Sequence, residues 1–446
     1  MTSIDSPRDE NLHSRVGAAL IRMGYHFELM ETKSMRRRDF LQASTALSTG
    51  MWMGKALFPE SPVSTPTADL SDWRSLFPRL EGEVYLNAAR GTPLSSFSEE
   101  ATQAYMDLWK FGGSDGRSEV FRDTMASIRA EFAGLVHVDE TEIALVSCTK
   151  EGEQNVLDSV RPWDDGGHVV TNMYHFSGSL HNYEGHRRQG RDVRIVWSDD
   201  WNLEVDRVLD AIDDSTRLVC VTLVSNFNGR VEDVKAIAEK AHHHGALVFA
   251  DIIQAVGIVP VDLRDLDVDF ASCSCYKWLY GSHGVAFLYV RKELQGNEMT
   301  DRLYPGNSSQ QVPPWTHETA DEQLSFSMPE DARRYEPGHH SYIGYASVLA
   351  GIRFLREIGI EEVQNYSLRL SRLLRELIDE DKYPCISPAD MVSPIVTFDK
   401  GDLDIVPALN RDKLVISVSA RTFRVSPTIY NNEADVRLLV ATLNGV

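Results

Sequence analysis

Val268-Asp269-Phe270-Ala271-Ser272-Cys273-Ser274-Cys275-Tyr276-Lys277-Trp278-Leu279-Tyr280-Gly281 is the stretch whose reading decides the fold. An apolar strand ends here in Ser, Tyr and Lys, and a glycine-containing turn leads into a second apolar strand, Gly284 to Val290. A lysine in that place reads as an amine in a partly desolvated site, where its pKa falls far enough for it to attack an aldehyde and form a Schiff base. A neighbouring apolar run, Gly245 to Ala250, closes on Asp251. Ligands of an open α/β sheet collect at the carboxyl ends of its strands. Either residue alone is an ordinary helix cap or a solvated lysine, but two such residues, each ending an apolar run, argue for a site.

The aldehyde that suits this pair is pyridoxal 5′-phosphate (PLP). A carboxylate at a strand end keeps the pyridine nitrogen protonated, so that the ring becomes an electron sink for a carbanion at the substrate Cα. Asp251-x-x-Gln254 and Ser274-x-Tyr276-Lys277-Trp278-Leu279 resemble the cofactor motifs of the class-V aminotransferase family of fold-type I PLP enzymes. That family includes cysteine desulfurases, kynureninases and isopenicillin N epimerase-like proteins. The resemblance runs from about Tyr85 to the C-terminus. It implies an α/β architecture, with a large domain built on a mixed, mostly parallel sheet flanked by helices and a smaller C-terminal α+β domain.

Composition agrees with that class. The 446 residues are enough for two domains, and helical and strand-like segments alternate through the middle of the chain. A formal net charge of −21 argues against nucleic acid or an anionic membrane as partner. No apolar run approaches the roughly 18 residues that span a bilayer. Five scattered cysteines imply no disulfide framework, and Cys273 and Cys275 read as buried small residues. His242, His243 and His244 are consecutive on a helix and splay apart, so they read as its solvated end rather than as metal ligands.

The expected organisation is a polar extension over 1–34, a leader and linker over 35–68, the large PLP-binding domain over 69–340 and the small domain over 341–446. Within the leader, Met35-Arg36-Arg37-Arg38-Asp39-Phe40-Leu41-Gln42 resembles a twin-arginine export signal, with Met35 as a second candidate start. Export of folded protein suits a cofactor acquired in the cytoplasm, which makes the periplasm the expected location. A basic, disordered arm on a cytoplasmic protein is the alternative.

The remaining motifs follow the family's order, and their roles are those the resemblance implies. Val84 to Pro93 lines the substrate mouth, with Arg90 either assisting or lying on the surface. Cys148-Thr149-Lys150-Glu151-Gly152 opens a helix whose exposed amides favour a phosphate. Thr149 adds a hydroxyl there, and Lys150, a departure from the family pattern, either reinforces phosphate binding or points to solvent. His175 stands where the family stacks an aromatic residue on the pyridine ring. Asn226, in Ser225-Asn226-Phe227-Asn228-Gly229, sits beside the cofactor oxygen and the substrate carboxylate. Gln254 bonds the phenolic oxygen, and Ser274 and Tyr276 hold the phosphate. Arg334-Tyr335-Glu336-Pro337-Gly338-His339 matches a motif whose last position reaches the neighbouring subunit's phosphate, so a homodimer with a shared site is implied. The proline-rich stretch from Asp301 to Arg333 is expected to shape the pocket. Arg424, in Arg-Val-Ser-Pro, matches the arginine that grips the substrate α-carboxylate, with Arg421 its rival.

These residues predict chemistry at the Cα of an amino acid or amino-acid-derived substrate, aminotransferase-like in the first instance. A lyase or epimerase is the alternative, with periplasmic tailoring of a siderophore or other peptide among its uses. A catalytically silent binding module on the same fold is the reading from another class. Cysteine desulfuration ranks low, because Val415 to Ala420, the segment before the C-terminal arginine, carries no cysteine.

Overall fold

The computed structural model describes residues 70–111, 119–198, 201–300, 309–310 and 326–446. The expected extension and twin-arginine leader lie outside the described residues, as does most of the proline-rich stretch before Arg333. Thr67–Val446 forms one compact unit, and the boundary expected at 340/341 falls inside it.

The described chain begins its strands with β1 (Val84–Tyr85), then β2 (Ile143–Val146), β3 (His168–Asn172), β4 (Val193–Val196), β5 (Thr216–Thr222), β6 (Leu247–Asp251), β7 (Phe270–Ser274) and β8 (Ala286–Val290). Seven of these form one sheet in the order β2-β8-β7-β6-β5-β3-β4. Neighbours from β4 to β7 are parallel, whereas β8 is antiparallel to both β7 and β2. Because only β8 is reversed, β2 points the same way as the parallel set. Five carboxyl ends with ligand-type residues behind them therefore open on one edge: Thr149 after β2, His175 after β3, Asn226 after β5, Asp251 closing β6 and Lys277 after β7. The central strands are buried on both faces, which is why Leu218-Val219-Cys220-Val221 reads as a continuous apolar run.

Helices α1 (Ser96–Phe111), α2 (Glu119–Leu135), α3 (Thr149–Val160), α4 (Ser177–Arg188), α5 (Val234–His243) and α6 (Tyr342–Ile358) flank this sheet or lead away from it. α6 lies against α1, with Phe97 stacked on Phe354 at 4.5 Å. Its glycines let it come close to the loop behind Lys277, since a Cβ on Gly351 would stand 2.1 Å from the Leu279 carbonyl oxygen. His242 departs from the solvated reading. Its Nε2 lies 2.8 Å from the buried Asp269 carboxylate, and that hydrogen bond raises its pKa against the opposing effect of burial.

The C-terminal part carries β9 (Val396–Asp399), β10 (Leu414–Val415), β11 (Ser417–Val418) and β12 (Thr422–Val425). β12 lies between β9 and β11, antiparallel to each, and puts Arg424 opposite Thr397 and Ser417. β1 pairs in parallel with β10, and Leu86 and Ala88 exchange backbone bonds with Ser426. The motif at the substrate mouth is thus stitched to the C-terminal sheet although it belongs to the N-terminal part of the sequence.

The close approach of α6 gives a stability test. Gly351→Ala should cost about 1–3 kcal/mol, because the methyl group meets backbone that cannot give way. In the open site of Gly185 on α4 the same change should gain up to about 1 kcal/mol. Urea midpoints at constant slope measure both, and equal effects at the two glycines would contradict the packing.

Candidate active site

Two apolar strands deliver the central pair. Lys277 is only 6% exposed and Asp251 3%, and register sets Asp251 beside Thr222 and Ser272. Burial lowers the Lys277 ammonium to about 8, with Arg424 adding to that fall and Asp251 and Cys273 opposing it. Burial raises the Asp251 carboxyl, although His175, the Ile253 N–H and Lys277 all favour its charge. A cation set against Asp251 would offset that burial, and a protonated pyridine nitrogen is such a cation.

The Lys277 backbone is clasped from the mouth motif. Thr92 donates its hydroxyl to the Lys277 carbonyl at 2.9 Å and its N–H to the Tyr276 carbonyl at 3.1 Å. Gln254 joins three motifs at once. The indole N–H of Trp278 can only donate, so it fixes Gln254 Oε1 as acceptor at 2.9 Å and turns Nε2 to the Ala89 carbonyl at 3.0 Å. One N–H of that amide remains to meet a phenolic oxygen.

Thr149 and Ser274 form a reciprocal pair at the start of α3. The Thr149 N–H donates to Ser274 Oγ at 2.7 Å, and the Ser274 N–H donates to Thr149 Oγ1 at 2.9 Å. Two hydroxyls at a helix N-terminus suit a phosphate. Tyr276 is half-buried nearby and stacks on His283 at 4.4 Å. Lys150 takes a course the sequence did not suggest: its Nζ donates to the Gly178 carbonyl at 3.0 Å, in the first turn of α4.

His175 is buried on a turn that Asn172 organises by accepting from the Tyr174 N–H through its side chain and from the His175 N–H through its carbonyl. Its Nε2 lies 3.0 Å from Glu153 Oε1, while its buried Nδ1 has no protein partner. Glu153 is a site residue that the motifs did not reveal. The available signal was its place on the inward stripe of α3 with Thr149, Gly152, Val156 and Leu157.

Arg424 donates to the Asn226 carbonyl, and its Nε is buried without an acceptor. Burial and the positive Arg90 lower its pKa to about 10 against the pull of Tyr85. No carboxylate pairs with it among the described residues. Its rival Arg421 is largely exposed and faces Asp399 and Asp402. Arg90 itself is exposed. His339 is exposed too, and among the described residues no contact ties it to the cluster.

PLP fits these residues: two hydroxyls at a helix start, an unpartnered imidazole nitrogen, a buried carboxylate short of a cation and a dry amine. In cofactor-free protein, aldehyde trapping at Lys277 with borohydride should rise through pH about 8, because only the neutral amine reacts. Arg424→Gln should move the midpoint up and Asp251→Asn should move it down. A midpoint at the ordinary lysine value of about 10.4 would contradict the desolvation argument.

The comparisons with known proteins follow the same lines. Residues 98–439 match the Aminotransferase class-V family. A probable cysteine desulfurase of Methanothermobacter thermautotrophicus is 28% identical over 84% of this chain and 97% of its own. A kynureninase of Bacillus mycoides is 26% identical over 70% of this chain and 74% of its own. Among solved structures, a C-DES variant with glycine covalently linked to its PLP cofactor shares the fold, with a TM-score of 0.73 at 21% identity over 83% of this chain and 98% of that one. A family match running from α1 to the C-terminal helix takes in Lys277, Asp251, Gln254 and Arg424 together. That set, on this sheet, establishes the chain as a member of the class-V aminotransferase family of fold-type I enzymes, with PLP as its cofactor and Cα chemistry as its work.

Proposed function

We propose that the substrate is an amino acid, or a derivative with a free α-carboxylate, which docks on Arg424 and reacts in an aminotransferase-like manner. The observation that carries this reading is the half-buried Arg424 guanidinium, whose buried Nε lacks an acceptor. A partly desolvated cation without a counter-ion is costly, and a carboxylate would supply both the charge and two parallel hydrogen bonds. Arg90 adds positive charge at the mouth.

When bound, PLP supplies the electron sink that makes a carbanion at the substrate Cα accessible. Asp251 would face its pyridine nitrogen and His175 its ring. Thr149, Ser274 and Tyr276 would hold its phosphate, and Gln254 its phenolic oxygen. Lys277, with its amine released, takes the Cα proton, a role suited to a group that ionises near the working pH. Arg424 and Asn226 hold the carboxylate so that the Cα–H bond is presented to that amine.

A lyase is the second reading, supported by relatives named cysteine desulfurase and kynureninase. Desulfuration through an enzyme thiol remains disfavoured. Cys220, Cys273 and Cys275 are buried, Cys148 caps α3, and burial raises the Cys385 thiol. Product analysis on L- and D-amino acids separates the outcomes, because transamination yields a keto acid, elimination a cleaved side chain and epimerisation an inverted Cα. Arg424→Gln should lower kcat/KM by about 30- to 1,000-fold, the ~2–4 kcal/mol of an unpaired buried carboxylate, with PLP content unchanged. A loss below tenfold would sink the carboxylate assignment.

The Arg37-Arg38-Asp39-Phe40-Leu41 run supports twin-arginine export, and the exposed Met106, Trp109 and Phe111 on α1 support a homodimer in which His339 reaches the partner's site. Changing Arg37 and Arg38 to Lys should hold the enzyme in the cytoplasm of a Gram-negative host, and light scattering should give twice the chain mass. Unchanged periplasmic recovery or a monomer mass would overturn the respective reading.

A further inference from the structure

We propose that Glu153 is a positioning residue that holds the His175 proton on Nε2 and leaves Nδ1 as the atom that accepts a proton from bound substrate. Glu153 is 2% exposed, yet it is surrounded by donors. Oε1 lies 3.0 Å from His175 Nε2 and accepts from Tyr183 Oη at 2.6 Å, and Oε2 accepts from Ser179 Oγ at 2.5 Å. Burial opposes the charge, but His175, Ser179 and Tyr183 together hold the carboxyl at about 2. A permanent carboxylate can only accept, so the contact with His175 requires a proton on Nε2. In neutral imidazole the lone pair then lies on Nδ1, the buried nitrogen that no protein group meets.

The buried ring follows the carboxyl end of β3, on the sheet edge where β6 delivers Asp251 and β7 leads to Lys277. In the step proposed, an N–H bond of the substrate ammonium breaks, its electron pair stays on the substrate nitrogen and a new N–H bond forms at Nδ1, while the Cα proton remains the task of Lys277. The resulting imidazolium is stabilised by Glu153, the division of labour by which a buried carboxylate orients a catalytic histidine elsewhere. Tyr183 and Ser179, both on α4, keep the carboxylate from swinging away. The inference rests on the proposed placement of His175 against the PLP ring.

Histidine-labelled holoenzyme tests it directly by ¹⁵N NMR at pH 8, with the His175 signals identified by their loss in His175→Gln. A protonated Nε2 with a bare Nδ1 is expected. A proton on Nδ1, alone or in addition, overturns the proposal. Glu153→Gln should scramble the tautomer and lower kcat about 10- to 100-fold at unchanged PLP content. Tyr183→Phe, in which Ser179 still holds Glu153 Oε2, should keep the tautomer. Scrambling by Tyr183→Phe as large as that by Glu153→Gln, or no change in tautomer and kcat with Glu153→Gln, overturns it as well. If the Gln variant fails to fold, the wild-type spectrum decides alone. A failed Arg424 test with an intact His175 tautomer would remove the substrate reading and leave this one standing.

Discussion

An amine kept almost dry beside a buried carboxylate is the constraint on which the rest of the structure depends. Lys277 must lose its proton near neutral pH, which burial achieves, while Asp251 must stay available to a cation, which burial opposes. The same low-dielectric setting serves both because each charge partly offsets the other. A flat, wet surface would leave Lys277 fully protonated at neutral pH and would weaken every interaction with a charged ring.

The sheet makes that setting possible. With only β8 reversed, six strands end on one edge, and five of those ends carry Thr149, His175, Asn226, Asp251 and Lys277. The mouth motif then holds the Tyr276 and Lys277 carbonyls through Thr92, and Gln254 bridges the Ala89 carbonyl to the Trp278 indole. Because β1 pairs with β10, the clasp on Lys277 and the strand that carries Arg424 belong to one hydrogen-bonded assembly. The segments that carry Lys277 and Arg424 are therefore joined through backbone hydrogen bonds.

Strand-end chemistry was legible in the sequence because apolar runs that stop abruptly at Asp251 and Lys277 report burial and position at once. Arg424 was read from the family motif with Arg421 as its rival, and the two differ in the structure: Arg424 is half-buried with a buried Nε, whereas Arg421 is largely exposed. Long-range partners were not. The parallel pairing of β1 with β10 joins segments more than three hundred residues apart, and two-residue strands carry no periodicity to announce them. Glu153 was hidden because a carboxylate on a helix reads as solvated until Ser179, Tyr183 and His175 are seen to surround it. The same blindness led to His242 being read as solvated, since its Asp269 partner lies just before β7, on the far side of β6 in sequence.

The most direct measurement is an absorption spectrum of purified protein followed by borohydride reduction and peptide mass mapping, with Lys277→Ala alongside. Lysine-bound PLP should give a band between roughly 410 and 430 nm in the wild type only, and reduction should fix the cofactor to the peptide carrying Lys277. A wild-type protein that gains no band from added PLP, or an adduct mapping to another lysine, would contradict the account at its centre.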